Sequence, residues 1–189
     1  FFEIIIAKNF QKKACDVLAK KRKLILIETK NLQYENKQDI KLINGGYLIQ
    51  EKNNIKIGLN HIKSVSNYRA SKRVRDDLIF SFKVCKHVKS NAIVIAKNKK
   101  TLGIGAGQMS RIDSTRLALN KAPKKIKLKG FVAASDAFFP FIDGIKLLTN
   151  NNCKAIIQPK GSMNDSKIID YANKKKLPLY FSNYRLFKH

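Results

Sequence analysis

The stretch Lys89–Arg111, KSNAIVIAKNKKTLGIGAGQMSR, decides how the fold is read. Ala92–Ala96 is a short apolar run, Asn98-Lys99-Lys100 a polar turn, and Thr101–Ala106 a second strand-like run dense in glycine. Ser110 then has the chemistry of a helix N-cap, with Asp113 as its partner in a capping box. Strand, turn, strand, glycine-rich loop and helix start would bring backbone N–H groups and a helix N-terminus to one edge. Small anionic or amide-bearing ligands are commonly held at such an edge. The plainer alternative is a β-hairpin followed by an ordinary helix. Gly103, Gly105 and Gly107 do not meet the phase of a dinucleotide fingerprint, and no acidic ribose partner is evident.

Upstream of this stretch, Val74, Leu78, Phe82 and Cys85 fall on one helical stripe, which predicts a helix over about Lys72–Val88 with Ser71 as N-cap. Asp76 and Asp77 lie in its dipole-favoured early turns. The helix delivers the chain to Asn91, an asparagine that could equally be an αL cap. Earlier still, Phe2–Ala7 reads as a buried strand, Asn9 as the cap of a helix over Phe10–Lys21, and Lys23–Glu28 as a second strand. Together these form a βαβ unit. Asn44-Gly45-Gly46 marks a turn or a close backbone approach, Ile55–Leu59 a further strand, and His61–Arg69 a polar connector.

Downstream, a lysine-rich linker over Lys121–Lys129 precedes a strand at Phe131–Ala134. Pro140 interrupts an aromatic cluster and is expected to open a helix reaching Leu148. Lys154–Gln158 reads as a strand, Asp165–Lys175 as a helix with its acid first and lysines last, and Pro178–Phe181 as a final strand. Alternating strands and helices with one hairpin predict an α/β layered domain around a mixed sheet flanked by helices.

The 189 residues fit one domain able to bury a sizeable core, and a 44% hydrophobic content argues against general disorder. No run of 18 apolar residues occurs, so no membrane span is predicted, and no secretory signal is read at the start. The abrupt opening on Phe1 is most simply that of an incomplete chain. Cys15, Cys85 and Cys153 are odd in number and widely spaced, which suits a reducing cytoplasm and neither a disulfide framework nor a structural zinc site. Lys and Arg total 39 against 13 acids, a net +26 that ordinarily favours nucleic acid. The basic clusters, however, fall mostly at element ends and in loops, and no aromatic-studded basic strand appears. No specific nucleic-acid partner is therefore expected. A positive field would still attract small anions.

Several ordered blocks carry a family resemblance: EIIIAKNF, NGGYLIQ, SNAIVIAKN, GIGAGQMSR, ASDAFFPF, IIQPKGS and the terminal RLFKH. From Phe1 to His189 the chain resembles the C-terminal half of the 5-aminoimidazole-4-carboxamide ribonucleotide (AICAR) formyltransferase domain. That domain belongs to the bifunctional purine-biosynthesis family, which also carries IMP cyclohydrolase. The resemblance implies a cytidine-deaminase-like domain. The zinc deaminase signature is absent, so this version of the fold is expected to need no metal. It further implies AICAR and the formyl donor 10-formyltetrahydrofolate as substrates, a homodimer with the site across its interface, and a cytoplasmic location. The upstream subdomain, with a catalytic Lys-His pair, and the cyclohydrolase domain would lie before Phe1. The alternative is a non-catalytic basic nucleotide- or nucleic-acid-binding module.

Carried over residue by residue, Asn91 matches an asparagine that engages the AICAR amide region and is the candidate catalytic residue. Phe138 matches an aromatic beside the AICAR base, although a core phenylalanine is the plainer reading. Asp143 matches a carboxylate directed at the folate pterin, Arg111 a basic residue on the folate side, and Arg185 one near the nucleotide phosphate. His189, in the terminal block, completes the substrate-binding set. Two positions depart from the pattern. Ile142 stands where arginine is usual, and Lys160 where glycine or a small residue is usual. Lys86-His87 imitates the family's catalytic dipeptide in a different motif and is assigned no catalysis, and His61 has no evident partner.

Overall fold

The computed structural model describes residues 3–29, 38–123 and 130–188. Phe1, Phe2, most of the predicted lysine-rich linker and His189 lie outside them. The chain divides into two compact units, Phe1–Asn54 and Ile55–His189.

In the first unit β1 (Ile4–Ala7) runs parallel to β2 (Ile25–Glu28) through α1 (Lys12–Leu18), the βαβ arrangement that the sequence predicts. The helix is shorter than expected, and Gln11, not Asn9, occupies its N-cap. The expected burial of the first strand is not found, since Ile4 and Ile6 are 51% and 56% exposed. A two-stranded sheet crossed by one short helix with no buried residue has nothing to cover such side chains. A hairpin follows, β3 (Gln38–Ile43) and β4 (Gly46–Glu51), turned by Asn44-Gly45 with Gly45 at φ +83°. A β-carbon at Gly46 would meet nothing within 4 Å, so the paired glycines serve the turn and not a close approach.

The second unit is built on a mixed six-stranded sheet in the order β5-β10-β9-β8-β6-β7. Its strands are β5 (Ile62–Ser64), β6 (Ile93–Lys97), β7 (Lys100–Gly105), β8 (Phe131–Ser135), β9 (Cys153–Pro159) and β10 (Leu179–Ser182). The pairs β8–β9 and β9–β10 are parallel, whereas β5–β10, β6–β8 and β6–β7 are antiparallel. Side chains alternate faithfully across this sheet. Ile93, Ile95, Phe131, Ala133 and Ile156 point to one face, under α3 (Arg111–Lys121), α4 (Asp143–Asn150) and α5 (Asp165–Lys174). Val94, Ala96, Val132, Ala134 and Ile157 point to the other, under α2 (Lys72–Cys85). The α/β layered class with a mixed sheet flanked by helices is thus observed.

Two local expectations give way. Ile55–Leu59 is not a strand; Leu59–His61 forms a 3-10 turn. The polar connector contains β5, an edge strand antiparallel to β10. Three residues with intermediate and exposed side chains leave almost no apolar pattern to read. The α2 expectation holds in detail: Leu78, Phe82 and Cys85 are fully buried, and Ser71 Oγ accepts from Val74 N. Asp77 does more than complement a dipole. Its carboxylate accepts from Asn98 N (2.8 Å) and Lys99 N (2.7 Å), anchoring the β6–β7 turn to α2. Asn98 and Lys99 both have φ +53°, the left-handed pair of a two-residue hairpin turn.

The glycines of β7 are explained by packing. A β-carbon at Gly103 would run into the Ala118 carbonyl and one at Gly105 into that of Ser114, so both let α3 lie directly on the strand. For these two residues the plainer hairpin reading is the right one. Among the described residues no helix is long and apolar enough to cross a membrane, and no group of three His, Cys, Asp or Glu gathers as metal ligands would.

Candidate functional site

Sheet topology sets up the site before any side chain does. In an α/β sheet the loops beyond the carboxyl ends of parallel strands form the usual ligand edge. Here β6 runs antiparallel to β8, with Ile93 opposite Ser135, so the entry into β6 stands beside the exit from β8. Gly105 also pairs with Ile93, which brings the end of β7 and the loop before α3 to the same edge. Asn91, Asp136 and Arg111 are neighbours for this reason, despite their separation in sequence.

Asn91 follows a cis peptide from Ser90 and has no left-handed backbone, so the αL-cap alternative is excluded. Helix α2 instead ends at Cys85 with Lys86 as its C-cap. The Asn91 carboxamide donates through Nδ2 to the Gln108 carbonyl (2.9 Å), and its own carbonyl accepts from Ser114 Oγ (2.7 Å). Both partners belong to the α3 end of the hairpin. Ser110 caps that helix by accepting from Asp113 N (3.2 Å), but the Asp113 carboxylate takes the Ser110 hydroxyl and not its backbone N–H. That bond is the main reason the Asp113 pKa is lowered. The predicted box is therefore half formed.

Arg111 begins α3 and places Nη2 3.2 Å from Asp136 Oδ1, with side chains 13% and 0% exposed. The other carboxylate oxygen of Asp136 takes the hydrogen of Ser90 Oγ, the residue before Asn91. Arg111 also lies over the Phe187 ring at 6.0 Å and keeps a buried Nε without a partner. Asp136 was not a candidate on sequence grounds. The signal that could have found it is an acid within the apolar block ASDAFFPF, since a carboxylate in a buried run needs a cation or donors. Beneath it, the Cys85 thiol is held well above its ordinary pKa, first by burial and then by the Asp136 charge.

A second group forms on the next loops. The Arg185 guanidinium stacks over the half-buried Phe138 ring at 5.1 Å, and a β-carbon at Gly161 would stand 3.4 Å from it. The expectation of a core phenylalanine fits the neighbouring Phe139 better, which is 1% exposed. Phe139 N lies 3.4 Å from the carboxamide oxygen of the fully buried Gln158. The two groups are joined through Asp136, whose carbonyl accepts from Leu186 N (2.8 Å).

Asp143 stands apart from this network. It is exposed and opens α4, and its Oδ1 accepts from Gly144 N (2.7 Å). The adjoining Gly144 packs against Phe139 and Thr115, and Thr115 Oγ1 donates to the Arg111 carbonyl, so the start of α4 lies beside the first turn of α3. The helix opens at Asp143 and not at Pro140 as expected. Ile142, in the arginine position, packs against the core. Lys160 is exposed and lacks the positive φ of Gly161 (+113°), so its extra bulk is accommodated. His189 lies outside the described residues. Lys86 is turned away from catalysis by its own bond: Nζ donates to the Ile55 carbonyl (3.2 Å), and burial lowers its pKa. His61 does have partners, accepting from Gly58 N at Nδ1 (3.0 Å) and meeting Tyr184 edge-on.

The model of the family described as AICARFT/IMPCHase bienzyme matches residues 1–121, a span that includes Asn91 and Arg111. The whole chain also aligns with proteins named bifunctional purine biosynthesis protein PurH. It is 46% identical over 189 residues to that of Fusobacterium nucleatum subsp. nucleatum and 44% to that of a Thermoanaerobacter species. The identity with the Aquifex aeolicus protein is 40% over 190 residues. In each case 100% of this chain is covered but only 37% of the relative. With the matched span exceeding half its length, the chain belongs to the AICARFT/IMPCHase bienzyme family.

Proposed function

We propose that this chain is the C-terminal part of an AICAR formyltransferase domain. It would serve de novo purine biosynthesis within a cytoplasmic protein that also carries IMP cyclohydrolase. The reaction moves the formyl group of 10-formyltetrahydrofolate to the 5-amino group of AICAR. The amine nitrogen attacks the formyl carbon, the bond from that carbon to the folate nitrogen breaks, and the amine proton is passed on to the departing folate. The amine is conjugated with its ring and is a weak nucleophile. Orientation of both substrates and donors for the developing oxyanion therefore carry much of the acceleration.

In this reading Asn91 is the catalytic asparagine, held by Gln108 and Ser114 at the mouth of β6. Phe138 lines the AICAR base with Arg185 behind it toward the phosphate, while Arg111 and Asp143 serve the folate and His189 completes the substrate contacts. A guanidinium fork suits carboxylate and phosphate alike. The domain would be a zinc-free cytidine-deaminase-like layer structure, and the working form a homodimer completed by an upstream subdomain with its own acid–base pair.

The observation that carries the proposal is the shared edge. Asn91 and Arg111, which the family pattern names independently, meet around one buried carboxylate. The full-length alignment at 40–46% identity supports it. The basic nucleic-acid module has no comparable support. The test is to express the complete reading frame and follow formyl transfer from 10-formyltetrahydrofolate to AICAR. Transfer that falls sharply in Asn91→Ala supports the reading, and none above background overturns it. The purified 189-residue chain alone is expected to transfer nothing, because a principal acid–base pair is worth orders of magnitude in rate.

A further inference from the structure

We infer that Asp136 is a positioning residue of this site, a buried carboxylate that sets Asn91, Arg111 and the Arg185 segment in one register. Its kinetic consequence rests on the formyltransferase reading; its geometry does not.

Asp136 is 0% exposed, and a carboxylate so placed is tolerated only when its oxygens are matched. One oxygen takes Arg111 Nη2 (3.2 Å) and the other the Ser90 hydroxyl. That hydroxyl accepts from Lys188 N (3.1 Å), which leaves its hydrogen for Asp136. The backbone of Asp136 is committed too, with N donating to the Ala92 carbonyl (3.2 Å) and the carbonyl accepting from Leu186 N (2.8 Å). Each contact falls on or next to a candidate residue. Ser90 and Ala92 flank Asn91, Arg111 is bound directly, Leu186 follows Arg185, and Phe138 is two residues along the same loop.

Ending β8 against β6 needs only the two main-chain bonds, and a small apolar residue would serve. The charge is explained by Arg111. Its guanidinium is clamped along one edge by Asp136 and stacked on Phe187, while Nε stays buried and unpaired. A guanidinium fixed in this way presents its remaining donors in a defined direction, which is preorganisation for an anionic group. Without Asp136 the fork would be free to turn, and Ser90 would lose the partner that orients its hydroxyl.

The test uses the protein expressed from its complete reading frame, with Asp136→Asn, Ser90→Ala, Arg111→Ala and the double variant Asp136→Asn/Arg111→Ala. Asp136→Asn should lower kcat/KM for 10-formyltetrahydrofolate by about 100-fold, the scale of a small misplacement of reacting groups. The milder Ser90→Ala, which keeps the ion pair, should lower it by roughly tenfold. Added to Arg111→Ala, Asp136→Asn should cost less than about threefold more, because its target is already gone. Hydrogen exchange, measured well below the unfolding temperature, should rise together at Ser90–Ala92 and at Leu186 in Asp136→Asn. Unchanged kcat/KM per folded molecule, or independent losses that multiply in the double variant, would overturn the positioning role. If the unsubstituted protein transfers no formyl group, the functional reading falls. The exchange measurement still decides on Asp136, since exchange confined to residue 136 would refute the coupling.

Discussion

Arg111 and Asp136 form an ion pair at 3.2 Å whose acidic member is wholly removed from solvent. Such a pair is a poor source of net stability while intact but costly to break, because the surviving charge is stranded. Arg111→Ala should therefore destabilise the fold by about 3 kcal/mol. Urea unfolding read by circular dichroism would check this, and a loss below about 1 kcal/mol, the range of exposed pairs, would mean that solvent reaches the carboxylate.

The turn between β6 and β7 supports a prediction of opposite sign. Asn98 and Lys99 both hold φ +53°, and left-handed backbone costs an ordinary L-residue roughly 1–2 kcal/mol. Lys99→Gly removes that cost and gives the Asn-Gly pair that such turns favour. The only printed side-chain loss is an exposed 3.8 Å contact with Asp76, of a kind that contributes little. A melting temperature raised by a few degrees is expected.

Close packing of α3 on β7 makes Gly105 intolerant. A β-carbon there would collide with backbone atoms of Ser114, which cannot swing aside as a side chain could. Gly105→Ala should cost on the order of 2 kcal/mol or abolish soluble expression, whereas Gly45→Ala meets open space and bears only its positive φ. Comparing the two melting curves tests the assignment.

What the sequence made legible follows from where side-chain periodicity was strong. The stripe Val74, Leu78, Phe82 and Cys85 specifies α2, because one face of that helix is buried without exception below Val74. β5 escaped notice because an edge strand of three residues with little burial carries no period to detect. Asn91 and Arg111 were visible as unusual residue types in known blocks. Asp136 was not singled out, because its meaning depends on a register, Ile93 opposite Ser135, that no local pattern announces. The same applies to Gly103 and Gly105, which read as a ligand loop until the α3 backbone is seen against them.

The buried thiols give a pH dependence with a definite sign. Burial pushes Cys153 from 9.0 up to about 12, so the folded state keeps the proton over a range in which the unfolded chain releases it. The stability this confers is present in full below pH 9.0 and is lost as pH rises toward 12. One proton limits the slope to about 1.4 kcal/mol per pH unit. Many lysines titrate in the same window, so the informative quantity is the difference between wild type and Cys153→Ala. That difference should narrow as pH climbs from 9.0, and a constant one would show that the thiol ionises freely in the native protein.

Asn91 and Asp143 should part company in kinetics, because the structure gives them different anchors. Asn91 is half-buried and its carboxamide is engaged with the Gln108 carbonyl, so Asn91→Ala should cost about 1 kcal/mol of stability as well as rate. A purely catalytic asparagine would have left the melting temperature untouched. Asp143 is exposed at the head of α4 with a bond only to its neighbour Gly144, so Asp143→Ala should leave unfolding nearly unchanged. Its effect should appear in substrate affinity. In the complete protein, KM for 10-formyltetrahydrofolate is expected to rise severalfold while KM for AICAR stays constant, since a lost charge-assisted hydrogen bond is worth about 1.5–3 kcal/mol. Asn91→Ala should instead lower kcat with a smaller change in either KM, the pattern of an interaction strengthened in the transition state. If Asp143→Ala shifts neither KM, the carboxylate merely complements the α4 dipole and the folate contact must be sought elsewhere on the Phe138–Arg185 side.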